Sequence, residues 1–270
     1  MIRSLNTAAV AMQQEQMRID ALANNLANVS ASGFRQIITR LAEPASGATP
    51  AGRPSAADLM TNAAARQAAG GTGGAAGGSQ WRPVTRADLT HALDPRPGPV
   101  QPSGRDTDIA IMGRGYFEVE TPEGPRYTRN GSFVLNADRE LTTPDGRRVA
   151  GDGGPLRLEG GSFSIASDGT VTVDGAQVGR VKLVDFADPT KLEHVGNSLL
   201  RAPADLAPQP VAAEDTIVAQ GHVEGSNVNP VDTLVAMIEA QRAFEIQSKV
   251  LQTENDLLGK SVNNLPRTTL

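Results

Sequence analysis

With 270 residues, a formal net charge of −5 and three dispersed histidines, the chain lacks the basic footprint of a nucleic-acid binder and has room for one large domain or two smaller ones. Cysteine is absent, which excludes disulfides and thiolate chemistry, and an aromatic content of 3% argues against one thick, enzyme-like core. No run approaches the roughly 18 apolar residues of a membrane span, and Asn6, Thr7, Gln13 and Gln14 interrupt any signal-peptide core, so a soluble chain without a cleaved leader is expected.

Residues 1–29 read as a helix. Ile2, Leu5, Ala9, Met12, Gln16, Ile19, Ala23 and Leu26 recur at alternating steps of three and four, a seam with one polar position. Its few charges (Arg3, Glu15, Arg18, Asp20) suit packing against other chains. Gly33 is placed to end it in a left-handed conformation, with Phe34 closing the hydrophobic end. Residues 42–82 change character: Gly, Ala, Ser and Pro dominate, a short helix is conceivable around 56–69, and GGTGGAAGG is a flexible tether by composition. No GK[ST] follows it, so it is not a phosphate-binding loop.

From 83 to 215 the pattern is β. Asp108–Glu120 alternates apolar residues around a bend at Gly113 and Gly115. Asn130-Gly131 is a turn signal, Pro144-Asp-Gly146 marks another turn, and Phe163, Ile165, Val171 and Val173 flank Asp168-Gly169 as a hairpin; Val181, Leu183 and Phe186 supply a further strand. Such spacing predicts an antiparallel sheet or barrel.

Residues 216–270 predict one long C-terminal helix. Asn229 is its N-cap, Pro230 fits the first turn and Asp232 takes the place of a capping-box acid. With no proline before Pro266 it runs about 35 residues, or about 50 Å. Leu234, Met237, Gln241, Phe244, Ser248, Leu251, Asn255, Leu258, Val262 and Leu265 follow the three-four spacing, and Ala236, Ala243, Val250 and Leu257 add a second apolar row. A helix apolar on more than one stripe expects more than one neighbour. The expected fold is α+β: paired, long, coiled-coil-like N- and C-terminal helices with a central antiparallel β domain. It divides into the N-terminal helix (1–41), the linker (42–82), the β-rich domain (83–215) and the C-terminal helix (216–270).

No catalytic constellation is present. His91, His194 and His222 lack any metal-ligand spacing, there is no GxSxG elbow, and Asp106, Asp108, Asp145, Asp152 and Asp168 mostly adjoin Gly or Pro as turn residues do. Gly113-Arg-Gly115 reads as a bend between strands. Gly259-Lys-Ser261 lies mid-helix without the preceding glycine of a nucleotide site. No enzymatic activity, cofactor, metal or small-molecule substrate is expected.

Three stretches carry a resemblance. Asn24-Asn-Leu-Ala-Asn-Val-Ser-Ala-Ser-Gly-Phe34-Arg35 closely resembles the N-terminal signature of the flagellar rod and hook axial proteins. Asp108–Phe117 with Tyr127–Phe133 looks like the start of their first β domain, and Gly225-Ser-Asn-Val-Asn-Pro-Val231, continuing through Met237-Ile238, Gln241-Arg242 and Glu245, is similar to their C-terminal signature. The resemblance implies a structural rod subunit that stacks helically, its terminal helices lining the tube and its β domain outside. It further implies export through the flagellar type III apparatus, with copies of the chain and other rod proteins as partners, in the periplasm-spanning rod of the basal body. Gly151–Val184 looks most like the proximal-rod type and Met1–Leu5 more like the distal type; the proximal type is favoured. The alternatives are a hook or hook–rod junction protein, or a secreted cell-wall-acting enzyme or binding module, which would need convergent acids in a cleft. Subunit-interface residues are expected at Ile2, Leu5, Met12, Ile19, Asn24, Asn25, Leu26, Asn28, Gly33 and Phe34. Their C-terminal counterparts are Ser226, Asn227, Val228, Asn229, Leu234, Met237, Ile238, Phe244, Leu251 and Leu258.

Overall fold

The structure, a computed structural model, describes residues 2–41, 89–211 and 216–263. The chain divides into two compact units, Met1–Arg40 with His91–Leu270, and Leu41–Thr90. Nearly all of the second unit, including the expected linker at 42–82, lies outside the described residues.

The larger unit has one α-helix at each end of the sequence. Helix α1, Ile2–Ala27, has 26 residues, and α2, Pro230–Asn263, has 34. Helix α1 is built largely from Ala, Gln, Met, Leu and Arg, which lose little freedom in a helix. It stops six residues short of Gly33 because Asn28 takes over the last turn, donating from Nδ2 to the Asn24 carbonyl at 2.8 Å. Gly33 is left-handed as expected, at φ 65°, but it turns the chain after the helix rather than capping it. Helix α2 starts where the sequence places it. Asn229 Oδ1 accepts from Val231 N at 3.1 Å, and Asn229 Nδ2 donates to Asp232 Oδ2 at 2.7 Å, so the acid braces the capping side chain.

The coiled-coil-like pairing expected of the helices is corrected. They touch, but among the described residues those buried on them are Ala21 and Asn25 of α1 and Thr233 and Ala240 of α2, small or polar throughout. Leu234, Gln241 and Asn255 of the expected seam face solvent, while Met237, Phe244 and Leu251 are half-buried. The inward stripe of α2 runs through Thr233, Met237, Ala240, Phe244, Gln247 and Leu251, one residue off the expected register in every second position. Among the described residues an apolar seam of interlocking knobs is not formed. The architecture is two terminal helices and a β-rich centre.

That centre is antiparallel. Strands β1 (Ile37–Leu41) and β2 (Leu89–Leu93) form one ribbon. Strand β3 (Val100–Pro102) pairs with His222–Glu224, and β4 (Ile109–Gly113) pairs with Thr216–Gln220. The chain bends at Gly113 and Gly115 (φ 112° and 110°) into β5 (Tyr116–Thr121), which forms a hairpin with β6 (Gly124–Thr128). Both lie in a six-stranded sheet ordered Glu193–His194, Leu199–Arg201, β6, β5, Leu183–Asp185, Gln209–Pro210. The hairpin around Asp168-Gly169 forms as read, with Ile165 opposite Val171 and Phe163 opposite Val173.

Alternation along β5 explains why a sequence poor in aromatics makes two thin cores. Phe117 points into one cluster with Ile109, Phe133, Leu141 and Val149, and Tyr116 into another with Tyr127, Val184, Phe186 and Leu200. Each contains an edge-on aromatic pair, Phe117–Phe133 at 5.1 Å and Tyr127–Phe186 at 4.8 Å. Asn130-Gly131 does not join two paired strands. Asn130 Oδ1 accepts from Ser132 N at 3.0 Å, and the chain crosses to β4, where Ile109 N donates to Gly131 O at 3.0 Å. A Cβ on Gly131 would lie 1.6 Å from the Ile109 carbonyl oxygen, so the crossing requires glycine.

Candidate assembly site where both helices meet the sheet

The segment leaving α1, the segment entering α2 and the end of β6 converge on one buried joint. Glu224 ends the strand paired with β3, and the pairing continues as Gly225 N donates to Pro99 O at 2.8 Å. Such close approach needs Gly98, whose Cβ would stand 2.1 Å from the Gly225 carbonyl oxygen. Across the joint, Gly33 N donates to Glu224 O at 2.7 Å. Gly33 also lies against the Arg129–Asn130 backbone, where a Cβ would come within 2.2 Å of Asn130 N.

The Glu224 carboxylate divides its oxygens between two arginines. Arg35 Nη2 lies 2.8 Å from Oε1 and Arg129 Nη1 lies 3.3 Å from Oε2, with all three side chains at most 5% exposed. Gly98 N also donates to Oε1, at 2.9 Å. Arg35 Nη1 donates to Arg96 O, and Arg129 donates to the Ile111 and Gly113 carbonyls at the end of β4. The Arg129 guanidinium sits 5.3 Å from the centre of the Tyr116 ring. Burial pushes Arg129 below its ordinary pKa, and the Glu224 charge opposes that shift. The hydrogen bond from Arg96, whose Nε lies 2.8 Å from Asp94 Oδ2, holds the Asp94 carboxyl below the usual carboxylate range.

Two asparagines tie loop backbone to this joint. Asn25, fully buried on α1, donates to Ile37 O at 2.7 Å and accepts from Ile37 N at 2.8 Å, pinning the first residue of β1. Asn227 accepts from Gln36 N at 2.7 Å and donates to Arg96 O at 2.9 Å. Phe34, 1% exposed, packs on His194 with ring centres 5.0 Å apart, and burial pushes the His194 imidazole down from its ordinary pKa. A groove of about 690 Å³ runs along the outside of the joint, lined by Leu22, Arg96, Pro97, Asn227, Asp232 and Ala236 among others.

The residues singled out for subunit contact fall into two sets. Asn25, Gly33, Phe34 and Val228 are buried within the chain, and Met12, Ile19, Leu26, Asn28, Ser226, Asn227, Met237, Phe244 and Leu251 are half-buried. Asn24, Asn229, Leu234 and Ile238 are exposed; Ile2 and Leu5 lie on α1 and Leu258 on α2. Beyond Leu234 and Ile238, α2 exposes Val231 (67%), Val235, Ile246 (64%), Val250 and Leu257. At 100° per residue these occupy the side of the helix away from Thr233, Ala240 and Phe244. Isolated exposed apolar residues are ordinary on a protein surface; these share the outward half of one helix, interleaved with Glu239, Arg242, Glu245 and Lys249.

Sequence reasoning missed the ion triad. Arg35 and Arg129 lie inside the quoted motifs and Glu224 directly precedes the third, but no local pattern links the three charges. Among the described residues no group of three or more His, Cys, Asp or Glu could hold a metal ion, and no helix is long and apolar enough to cross a membrane. The arrangement is a joint with no poised acid–base pair.

Comparison with known proteins agrees with the three motifs. Residues 5–35 match the model of the flagella basal body rod protein family, residues 110–173 that of the flagellar hook protein FlgE/F/G D1 domain, and residues 219–265 that of the flagellar basal body rod FlgEFG protein C-terminal region. Each matched segment contributes one member of the triad. The chain is 33% identical to the flagellar basal-body rod protein FlgG of Bacillus subtilis, over 97% of this chain and 99% of that protein. It is 32% identical to FlgG of Borreliella burgdorferi over 99% and 100%, and 32% identical to FlgF of Caulobacter vibrioides over 92% and 91%. A proximal-rod type is consistent with these relatives. With matched segments at both ends and in the β region, and full-length relatives of this similarity, the chain belongs to the flagellar basal-body rod protein family.

Proposed function

We propose that the protein is a structural subunit of the bacterial flagellar rod, assembling with copies of itself and with other rod proteins into the shaft that carries torque through the periplasm. The observation that carries this reading is the exposed apolar stripe of α2, Val231, Leu234, Val235, Ile238, Ile246, Val250 and Leu257, on a chain of this family. A lone subunit leaves that stripe in water; at about 25 cal/mol per Å² of apolar surface, covering it with neighbouring subunits drives association. The expected contact residues on α1 and on Ser226–Asn229 belong to the same reading. So does export by the flagellar type III apparatus without a cleaved signal peptide, supported by family membership. The role is mechanical and assigns no catalysis to the chain.

The test is a strain deleted for this gene, scored by motility and by electron microscopy of purified basal bodies. Bodies that end at the inner-membrane ring without a completed rod support the reading. Complete rods and hooks in the deletion strain contradict it.

A further inference from the structure

We propose that the buried Arg35–Glu224–Arg129 triad is a positioning device, fixing within a single subunit the direction in which α1 and α2 leave the sheet. This deepens the rod reading and rests on it, because a subunit that passes torque outward needs a stiff connection between its helices and its β region. Arg35 lies on the segment between α1, which ends at Ala27, and β1; Glu224 ends the strand from which the chain runs to α2 at Pro230; and Arg129 directly follows β6 in the six-stranded sheet. One carboxylate therefore orients three chain segments at once, through oxygens 2.8 Å and 3.3 Å from different guanidiniums.

The choice of residue types points to direction rather than to bulk stability. Buried ion clusters are often no more stabilising than apolar side chains of similar volume, since desolvation offsets the attraction. Here two cations surround one anion, and among the described residues Arg35 Nε, Arg35 Nη2 and Arg129 Nε have no hydrogen-bond partner, so Arg35 meets Glu224 as an ion pair while its direction is set by the Nη1 bond to Arg96 O. An apolar plug of the same size would fill the joint but could slide. A guanidinium fork donates to a carboxylate or carbonyl oxygen only along set directions. Backbone contacts lock the same place, with Gly33 N on Glu224 O at 2.7 Å and Gly225 N on Pro99 O at 2.8 Å.

The chain has no cysteine, so paired spin labels can be introduced without removing native thiols. One label replaces Glu123 in the β5–β6 turn, whose side chain is 83% exposed, and the other replaces Glu239 on the exposed side of α2. Electron–electron distance distributions are then measured on the dilute full-length chain. The parent gives one narrow distribution. In the triple variant Arg35→Met, Glu224→Met, Arg129→Met the β circular-dichroism signal stays and the distribution broadens at least about twofold, as expected when an apolar plug replaces a directional cluster. A folded triple variant with the parent's narrow distribution overturns the proposal. If the triple variant does not fold, Arg35→Lys decides, since it keeps the charge and loses the fork: broadening supports positioning, and an unchanged width overturns it. Loss of the folded β region in both variants also overturns it, leaving a purely stabilising cluster. The distances are read on isolated chains, so they fail or succeed independently of whether the deletion strain builds a rod.

Discussion

Arg35 Nη2 stands 2.8 Å from Glu224 Oε1 with the two side chains 2% and 1% exposed, joining the segment that follows the first helix to the strand that precedes the last. Removing one partner strands a buried charge. Glu224→Gln is expected to destabilise the folded chain by about 3–5 kcal/mol. The matched control is Glu193→Gln, which breaks the exposed Arg201–Glu193 pair and should cost under about 1 kcal/mol. Urea denaturation followed by circular dichroism separates them; equal costs would show that the joint is wetter than its geometry implies.

Asn25 holds both backbone groups of Ile37. Asn25→Ala takes the partner from a part-buried N–H and a part-buried C=O of Ile37, each worth up to about 1–3 kcal/mol when left without one. The amides at the start of β1 should also lose protection in hydrogen exchange, while those of the Phe163–Val173 hairpin stay protected.

Glycines at the joint differ from glycines at open turns. Gly33→Ala places a methyl against the Arg129–Asn130 backbone, and Gly131→Ala places one 1.6 Å from the Ile109 oxygen. Both should prevent stable folding. Gly146 has φ 81° but open space around it, so Gly146→Ala carries only left-handed backbone strain of about 1–2 kcal/mol. Gly146→Ala should keep a cooperative melting transition, lowered only slightly from the parent's, while the other two variants show none.

Two pH windows of stability are expected. His194 is held below its ordinary value by burial, so the unfolded chain takes up its proton first. Its contribution is complete above about pH 6.5 and is lost as pH falls below that value. Asp168, held low by the Thr170 N–H and hydroxyl, and Asp174, held low by the Ser162 and Gly161 N–H groups, act in the same direction further down, losing their contribution below about pH 4. Melting temperature against pH should therefore fall in two limbs, and His194→Gln should remove only the upper one.

The terminal helices were legible because helix caps and three-four spacing are local signals. Asn229, Pro230 and Asp232 announce α2 in sequence, and they cap it in the structure. Which stripe faces inward was not legible. Spacing alone ranks Leu234, Gln241 and Ser248 as inward, yet Thr233, Ala240 and Gln247 take that side, because α2 carries apolar residues on two sides and sequence does not say which neighbour covers each. The Asp168-Gly169 hairpin was readable from alternation about a turn, whereas Asn130-Gly131 serves a crossing that only its contact with Ile109 reveals. The triad was beyond local reading, because its three residues come from distant segments and no spacing rule connects them.

The most direct measurement of the rod reading uses the exposed stripe of α2. Leu234→Asp, Ile238→Asp and Val250→Asp combined should leave the circular-dichroism spectrum and melting of the isolated chain near those of the parent, since all three side chains face solvent. Expressed in the deletion strain, the variant is expected to give non-motile cells whose purified basal bodies lack a completed rod. Normal rods and swimming with this variant would contradict assembly through that face.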